Sequence, residues 1–306
     1  MKNTELATTI YHGAKNYILK RPITISFDVT NKCNLKCEMC YWWRHRLPKE
    51  LSVEEAVFLF RQLRKKYHVF HCAYCGGEPT LRPDVLEECT KIMPVNWIVT
   101  NGTRDMPKLG NNSAIAVSID GTEKIHDKIR GRKGLYKEVF KRYSHYTDYP
   151  LYTATTLVQN NKNEIEKLAK EWSNTSIKGM WFDFATPFRN SDNKFFIDLD
   201  ERNKIIDKIC KLKEEYGNFI VFPDEGYYFL RKENTIKKAN NCILKRFTMC
   251  LNSEGKRKVP CVLGKDAICE KCGCIVAAFA QYYFQPGIKS PVIWSKFFIN
   301  TIKNKI

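Results

Sequence analysis

Short apolar runs alternate with amphipathic segments over the first two thirds of the chain. Six runs rich in β-branched and aromatic residues predict strands at 23–30, 69–74, 97–100, 114–119, 153–158 and 180–185. Apolar residues at helical spacing predict helices at 52–67, 83–93, 137–146, 163–172 and 200–216. Ser52 is followed three residues later by Glu55, a capping-box pattern that marks the start of the first of these helices.

The order of these elements indicates the fold class. Strands that alternate with helices are typical of βαβ units and therefore of a parallel sheet. Six such units favour an open barrel over a closed eight-fold one. The predicted fold is therefore α/β: a partial (β/α)6 TIM barrel followed by a small cysteine-rich auxiliary-cluster domain.

The character of the sequence changes after about residue 232. Residues 241–274 hold six of the thirteen cysteines, and this segment is too short to build its own apolar core. A metal can organise such a segment. We predict four regions: an N-terminal extension at 1–20, the barrel at 21–232, the auxiliary domain at 233–280 and an amphipathic tail at 281–306.

The cysteine content narrows the class of protein. A secreted chain would hold thirteen cysteines as disulfides, but residues 1–14 are polar and lack the apolar core of a signal peptide. We therefore expect a reducing, cytoplasmic environment, in which clustered cysteines indicate metal ligands. No run approaches the roughly 20 apolar residues that span a bilayer.

The formal net charge of +18 allows two interpretations. The lysines are spread along the chain, as on an ordinary soluble surface. A surface that meets an anionic partner such as nucleic acid, phospholipid or a phosphorylated substrate would have the same charge.

One cysteine cluster directly follows the first predicted strand. Cys33, Cys37 and Cys40 have the spacing C-x3-C-x2-C, and active-site loops of parallel α/β folds lie at the carboxyl ends of strands. Three thiolates on a four-iron cluster leave one iron open, and an open metal position is typical of a reactive site. The alternative is a zinc site completed by His45 or His71.

The motifs around this cluster resemble those of radical S-adenosylmethionine (SAM) enzymes. The sequence DVTNKCNLKCEMCY at 28–41 is similar to the family signature, and GGEP at 76–79 follows the second strand at the expected distance. The segments TNGT at 100–103 and SIDG at 118–121 resemble the family's next two strand ends. The resemblance covers about residues 20–190.

The resemblance implies a cofactor, a reaction and a set of contacts. The open iron would bind SAM, and the reduced cluster would cleave it to a 5′-deoxyadenosyl radical that takes hydrogen from an unactivated carbon. Glu78 would pair with the SAM ammonium, Ser118 and Asp120 would hold the ribose, and Arg130 would meet the SAM carboxylate. The remaining implied contacts come from Met39, Tyr41, Gly76, Gly77 and Pro79. A reduced ferredoxin or flavodoxin would be the electron donor.

Four further cysteines are predicted to be core thiols. Cys72 and Cys75 lie three apart on a strand and so point to opposite faces, which argues against a shared metal. Cys89 and Cys210 lie on predicted helices.

The cysteines after residue 240 resemble the auxiliary-cluster modules called SPASM and twitch domains. Cys250-x4-Gly-x5-Cys261 is similar to their hairpin motif, and Cys269 and Cys272 follow it. We predict that these four cysteines hold a second 4Fe–4S cluster, with Cys274 and then Cys242 as alternates. A zinc ribbon would also fit this spacing.

The substrate prediction depends on the tail. Its apolar residues fall on one helical face, opposite Lys296, Asn300, Lys303 and Asn304; they are Trp294, Phe297, Phe298, Ile302 and Ile306. A basic amphipathic helix suits a membrane interface, although packing on the barrel is the commoner use of such a helix. With the positive charge, this favours the hydrocarbon chain of a membrane lipid as substrate and peripheral contact with an anionic membrane.

Two alternatives to the lipid substrate stay open. Radical modification of a peptide or protein is the common activity of SPASM enzymes. Only about 20 residues precede the first strand, without an evident peptide-recognition domain, which counts mildly against this alternative. The charge alone favours a non-catalytic, zinc-containing nucleic-acid binder, which would require the GGEP and SIDG matches to be accidental. We see no RNA-binding module and expect no nucleic-acid partner.

Overall fold

Seven strands form one parallel sheet in the computed structural model, which describes residues 3–40, 42, 49–110 and 112–284. The order across the sheet is β6-β5-β4-β3-β2-β1-β7, so the two edge strands are not paired and the barrel is open. The strands are β1 Thr24–Thr30, β2 His71–Gly76, β3 Val95–Thr100, β4 Ser113–Ser118, β5 Leu151–Leu157, β6 Gly179–Phe184 and β7 Thr248–Leu251.

Helices connect the strands in the manner of a (β/α) barrel, which confirms the predicted fold class. In chain order they are α1 Asn3–Ile18, α2 Val53–Tyr67, α3 Pro83–Ile92, α4 Glu123–Arg130, α5 Leu135–Tyr143, α6 Ile165–Trp172, α7 Leu199–Tyr216, α8 Asp224–Tyr228, α9 Lys232–Asn240, α10 Ile243–Phe247 and α11 Ile275–Phe284. The six predicted strands correspond to β1 to β6 with shifted ends. The domain boundaries themselves stay predictions.

The seventh strand comes from the cysteine-rich segment. β7 pairs in parallel with β1, with Thr24 opposite Thr248 and Phe27 opposite Leu251. The auxiliary segment therefore extends the barrel sheet, and its loops emerge at the same edge as the loop that follows β1.

The capping box predicted at residue 52 is present. The Ser52 hydroxyl accepts a hydrogen bond from the Glu55 amide at 3.2 Å, and the Glu55 carboxylate accepts one from the Ser52 amide at 2.8 Å. Both donors belong to the first turn of α2, where no backbone partner is available. This pair fixes the start of the helix that covers β1 and β2.

The two faces of the strands differ in burial, and this shows where the barrel is hollow. On β2, β3 and β5 the side chains that face the helices are buried, whereas alternate side chains are only partly buried. The partly buried ones include Ala73, Val99, Ala154 and Thr156, and on β6 Asp183 is partly buried in the same way. We call the space that these residues line the lumen.

Aromatic side chains close the lower end of the lumen. The ring of Trp97 on β3 lies 5.1 Å from that of Tyr152 on β5 and 5.6 Å from that of Trp181 on β6. Side chains two and three strands apart meet in this way only because the sheet curves around them. Phe222 and Phe279 extend the layer, with ring centroids 4.8 Å apart.

No described helix is long and apolar enough to cross a membrane. The residues of the amphipathic tail, from 285 onward, lie outside the described part of the chain, so the tail prediction is not tested.

Replacing Ser52 by Ala removes the N-cap acceptor of α2. We expect the free energy of unfolding to fall by about 1 kcal/mol, as is typical for the loss of an N-cap. Urea denaturation checks this, and Ser52→Asn should keep nearly full stability because Asn also caps helices. Equal losses in both variants would contradict the capping role.

Candidate active site

Three cysteines lie together in the loop after β1. Cys37 is buried, and Cys33 and Cys40 are partly buried. Burial is the main cause that raises the pKa of all three thiols, to about 11 for Cys40. The Cys37 thiol also raises the pKa of Cys33, and Cys37 and Cys33 raise that of Cys40. Without a metal these thiols are protonated at neutral pH, so a metal has to displace their protons.

A different nitrogen donor faces each of the three sulfur atoms. The amide group of Asn101 lies 3.9 Å from Cys33 Sγ, and the Trp42 backbone N–H lies 3.4 Å from Cys40 Sγ. The Arg130 guanidinium lies 3.9 Å from Cys37 Sγ. Donors aimed at sulfur favour thiolate ligands, so the surroundings suit a thiolate-bound cluster.

Two glycines after β2 make room for the cysteine loop. A Cβ atom on Gly77 would lie 1.9 Å from the carbonyl oxygen of Lys32, and one on Gly76 would lie 2.7 Å from that of Thr30. Gly76 also has a φ of 111°, which only glycine adopts readily. The backbone that packs closely against these two glycines is the segment just before Cys33. The predicted contact with the SAM methionyl group stays a prediction.

Glu78 is buried, and its carboxylate joins the loops that follow β2 and β3. One oxygen accepts hydrogen bonds from the Thr80 amide and from the hydroxyls of Thr80 and Thr100, at 2.6 to 3.1 Å. The other accepts the Asn101 amide at 2.7 Å. This carboxylate is already engaged within the protein, which favours the backbone of 76–78 over the Glu78 side chain for the predicted contact with the SAM ammonium. Pro79 is buried beside it.

Asp120 and Arg130 form a buried ion pair next to Cys37. Their closest nitrogen and oxygen atoms are 2.6 Å apart, and the other Asp120 oxygen accepts the Thr156 amide at 2.8 Å. Burial alone would lower the pKa of Arg130, but Asp120 and Cys37 raise it, so the guanidinium stays charged. The pair brings together two residues for which separate SAM contacts were predicted.

The other predicted SAM contacts lie around the same opening. Ser118 ends β4, two residues before Asp120, and is partly exposed on the lumen side. Met39 packs against buried Ile129 and Val158. Tyr41 lies outside the described residues. The roles of these side chains in SAM binding stay predictions.

A second group of cysteines surrounds one cavity beside the barrel. Five of them line it: Cys242, Cys261, Cys269, Cys272 and Cys274. Burial raises the pKa of the Cys261 thiol to about 11 and also raises that of Cys242. A donor set made of thiols suits an iron–sulfur cluster or zinc.

Cys250 does not line this cavity, although it was one of the four predicted ligands. It is buried on β7, opposite Ser26 of β1. Both predicted alternates, Cys274 and then Cys242, line the cavity and are available in its place. The sequence spacing pointed to Cys250 because it starts the hairpin. Burial and, after it, the nearby Cys261 thiol raise the pKa of Cys250, but Cys250 lies outside the cavity lining.

Two hydrogen bonds and one close contact dock the second cysteine group onto the end of β6. Gly273 accepts a hydrogen bond from the Phe184 amide at 3.0 Å, and a Cβ on Gly273 would lie 2.0 Å from the Phe184 carbonyl oxygen. The Asp183 carboxylate accepts the Ile275 amide at 2.8 Å. This contact places the second group at the mouth of the lumen.

Arg202 is a further anchor that the sequence analysis missed. It is fully buried on α7, and its guanidinium donates to the carbonyls of Cys272 at 2.9 Å and Lys271 at 3.0 Å. Burial lowers the pKa of Arg202 to about 10. A signal was present, since Arg202 falls four residues before Ile206, on the apolar face of its helix.

Cys72 and Cys75 point to opposite faces of β2, as predicted. Cys72 is fully buried, and Cys75 is partly exposed on the lumen side, where its sulfur lies 3.2 Å from the Ser26 hydroxyl. Among the described residues, no three His, Cys, Asp or Glu side chains are gathered tightly enough for a single metal ion.

The comparisons with known proteins fall mainly on the barrel. The model of the Radical SAM superfamily matches residues 27–171. The sporulation killing factor maturation protein SkfB of Bacillus subtilis is 32% identical over 168 residues, which are 50% of this chain and 40% of SkfB. Fe-coproporphyrin III synthase of Methanosarcina barkeri is 34% identical over 128 residues, 38% of this chain and 32% of that protein. The alignments thus span less than half of either relative.

A solved structure covers more of the chain. Streptococcus suis SuiB bound to S-adenosylmethionine has a TM-score of 0.63 and covers 88% of this chain and 69% of SuiB, at 15% identity. SuiB bound to its precursor peptide SuiA has a TM-score of 0.61. Sequence identity this low shows a shared fold, which here includes the region after β6.

Replacing Gly77 by Ala should displace the cysteine loop, because the added methyl group would overlap the Lys32 carbonyl. We expect anaerobically reconstituted protein to lose about four iron atoms per chain, the content of one cubane cluster. Gly226→Ala is the control, since a Cβ there would have no atom closer than 3.9 Å. Full iron content in Gly77→Ala would contradict the proposed packing.

Exchanging single cysteines tests the second site. We expect Cys242→Ala to lose iron from the second cluster, whereas Cys250→Ala should retain it because Cys250 lies off the cavity. Iron and sulfide analysis after reconstitution measures the difference. The opposite result would restore the ligand set predicted from spacing.

Proposed function

Because this chain belongs to the radical SAM superfamily, we propose that it is an enzyme that modifies a peptide by radical chemistry at the mouth of its lumen. The observation that carries the proposal is the position of the two cysteine groups. The first follows β1, and the second is docked on the end of β6, so both lie at the carboxyl edge of one parallel sheet with the lumen between them.

The first cysteine group fits the expected cofactor. Cys33, Cys37 and Cys40 would hold a 4Fe–4S cluster, and the donors of Asn101 and Arg130 would stabilise its thiolates. When bound, the cluster and SAM supply a 5′-deoxyadenosyl radical that abstracts hydrogen from an unactivated carbon. A reduced ferredoxin or flavodoxin is the electron donor that we propose.

The second group would hold another 4Fe–4S cluster, with Cys242, Cys261, Cys269 and Cys272 as ligands and Cys274 as the alternate. Four thiolate ligands leave no open iron, and a closed cluster suits electron transfer better than substrate binding. Its place beside β6 would let it exchange electrons with a substrate in the lumen.

The lumen provides a chamber for the reacting group. Its aromatic lower end excludes water from below, and its upper walls carry Thr156, Asp183 and the Asp28–Lys258 ion pair, whose closest atoms are 2.6 Å apart. Burial raises the pKa of Asp183 to about 6. Apolar and polar surfaces in one chamber suit an amino-acid side chain inserted from a peptide that lies across the opening.

The relatives support a peptide substrate. SkfB is named as a maturation protein, and SuiB has been crystallised with a precursor peptide. The likeness to SuiB extends over 88% of this chain, whereas the match to the porphyrin-related enzyme covers 38%. Because the likeness to SuiB covers more of the chain, we favour a peptide substrate.

The lipid substrate predicted from the tail gains no support. Its main observation concerns residues outside the described part of the chain, and none of the three relatives has a lipid in its name. A non-catalytic nucleic-acid binder disagrees with membership of the radical SAM superfamily. Radical peptide modification, first an alternative, becomes the proposed function.

A deuterium-transfer assay tests the substrate class. Reconstituted protein is incubated with SAM, dithionite and either perdeuterated random-sequence peptides or vesicles of perdeuterated phospholipid. We expect deuterium in 5′-deoxyadenosine from the peptides alone, because the radical takes its hydrogen from the substrate carbon. Cys37→Ala should form no 5′-deoxyadenosine and serves as the control. Transfer from the vesicles alone would contradict the peptide proposal.

A further inference from the structure

Lys238 carries a buried positive charge at the wall of the second cysteine cavity. Its residue is 3% exposed, and it lines the cavity together with the five cysteines. Its ammonium nitrogen has no hydrogen-bond partner among the described residues. Burying an unpaired ammonium costs several kcal/mol, so a protein tolerates it where an anion compensates the charge.

The other cations around this cavity already have partners. Lys245, which also lines it, donates its ammonium to the Ala239 carbonyl at 2.9 Å. Arg202 donates to the carbonyls of Lys271 and Cys272. Lys238 therefore differs from Lys245, the other lysine that lines the cavity, because the Lys238 ammonium has no protein acceptor in the described part of the chain and remains available to an anion in the cavity.

The charge of Lys238 reaches the cysteines on two sides of the cavity. Burial raises the pKa of the Cys242 and Cys274 thiols, and the Lys238 ammonium is among the groups that lower both. Cys242 precedes α10, and Cys274 precedes α11, so the ammonium acts on cysteines from separate parts of the chain.

We propose that Lys238 is the charge partner of an anionic iron–sulfur cluster in this cavity and raises its reduction potential. The inference rests on the proposed second cluster. Four thiolates around an oxidised 4Fe–4S core give a net charge of about −2, and one-electron reduction adds a further negative charge. A fixed cation nearby stabilises the reduced cluster more than the oxidised one. The cluster thereby becomes a better acceptor for an electron from a substrate radical.

The test is a potentiometric titration of the reconstituted full chain, followed by electron paramagnetic resonance, in wild type and in Lys238→Met. We expect the second cluster of Lys238→Met to have a lower midpoint potential than that of the wild type. A tenfold decrease in the equilibrium constant for one-electron reduction corresponds to a decrease of about 59 mV. Lys238→Arg should keep the potential close to wild type. Lys237→Met, an exposed neighbour on α9, is the matched control and should leave it unchanged.

The other outcomes separate this inference from the function on which it rests. Two clusters with an unchanged potential in Lys238→Met would overturn the role of Lys238 alone. Loss of the second cluster in Lys238→Met but not in Lys238→Arg would support the charge role, whereas its loss in both would show a packing role and overturn it. Wild-type protein with one cluster, or with zinc in this cavity, would overturn the second cluster as well.

Discussion

The common direction of the seven strands is the constraint on which the rest of the structure depends. In a parallel sheet all carboxyl ends meet at one edge, so loops far apart in sequence converge there. The loop of Cys33 follows β1, and the Glu78 segment follows β2. Because β7 also runs parallel to β1, the cysteine-rich segment returns to the same edge. The fold thereby brings two distant cysteine groups to one opening.

Buried polar side chains then fix the loops at that edge. The Glu78 carboxylate ties the ends of β2 and β3 together, and Asn101, which it holds, in turn approaches Cys33. Arg130 links Cys37 to Asp120, and Arg202 holds the loop of Cys272. Each of these groups is largely buried. A buried polar group that lacks a hydrogen-bond partner destabilises the folded protein. These contacts hold the cysteine-bearing loops at the edge of the sheet.

The sequence was informative where a pattern is local. The capping box, the strands of the sheet and the opposite faces of Cys72 and Cys75 follow from spacing alone, and the motif residues point to the superfamily. Helix α4 was missed because its eight residues, Glu123–Arg130, are mostly charged, and β7 because four residues carry too weak a pattern. These elements form because long-range packing outweighs local preference.

The partners of the site residues could not be predicted for the same reason. The spacing ranked Cys250 above Cys242 as a ligand. Which cysteine lines the cavity is decided by the pairing of β7 with β1, two strands more than 200 residues apart in sequence. Likewise the engagement of Glu78 with Thr100 and Asn101 depends on neighbouring strands. Sequence identifies the residue types that a site needs, and tertiary packing decides which of them meet.

The most direct test of the account is the electron paramagnetic resonance spectrum of the reduced, reconstituted protein before and after SAM is added. The account predicts signals from two clusters, of which SAM alters one, and this altered signal should be missing when Cys33, Cys37 and Cys40 are all replaced by Ala. A single signal in the wild-type protein, or two signals that SAM leaves unchanged, would contradict an open cluster and a closed cluster at the same opening of the lumen.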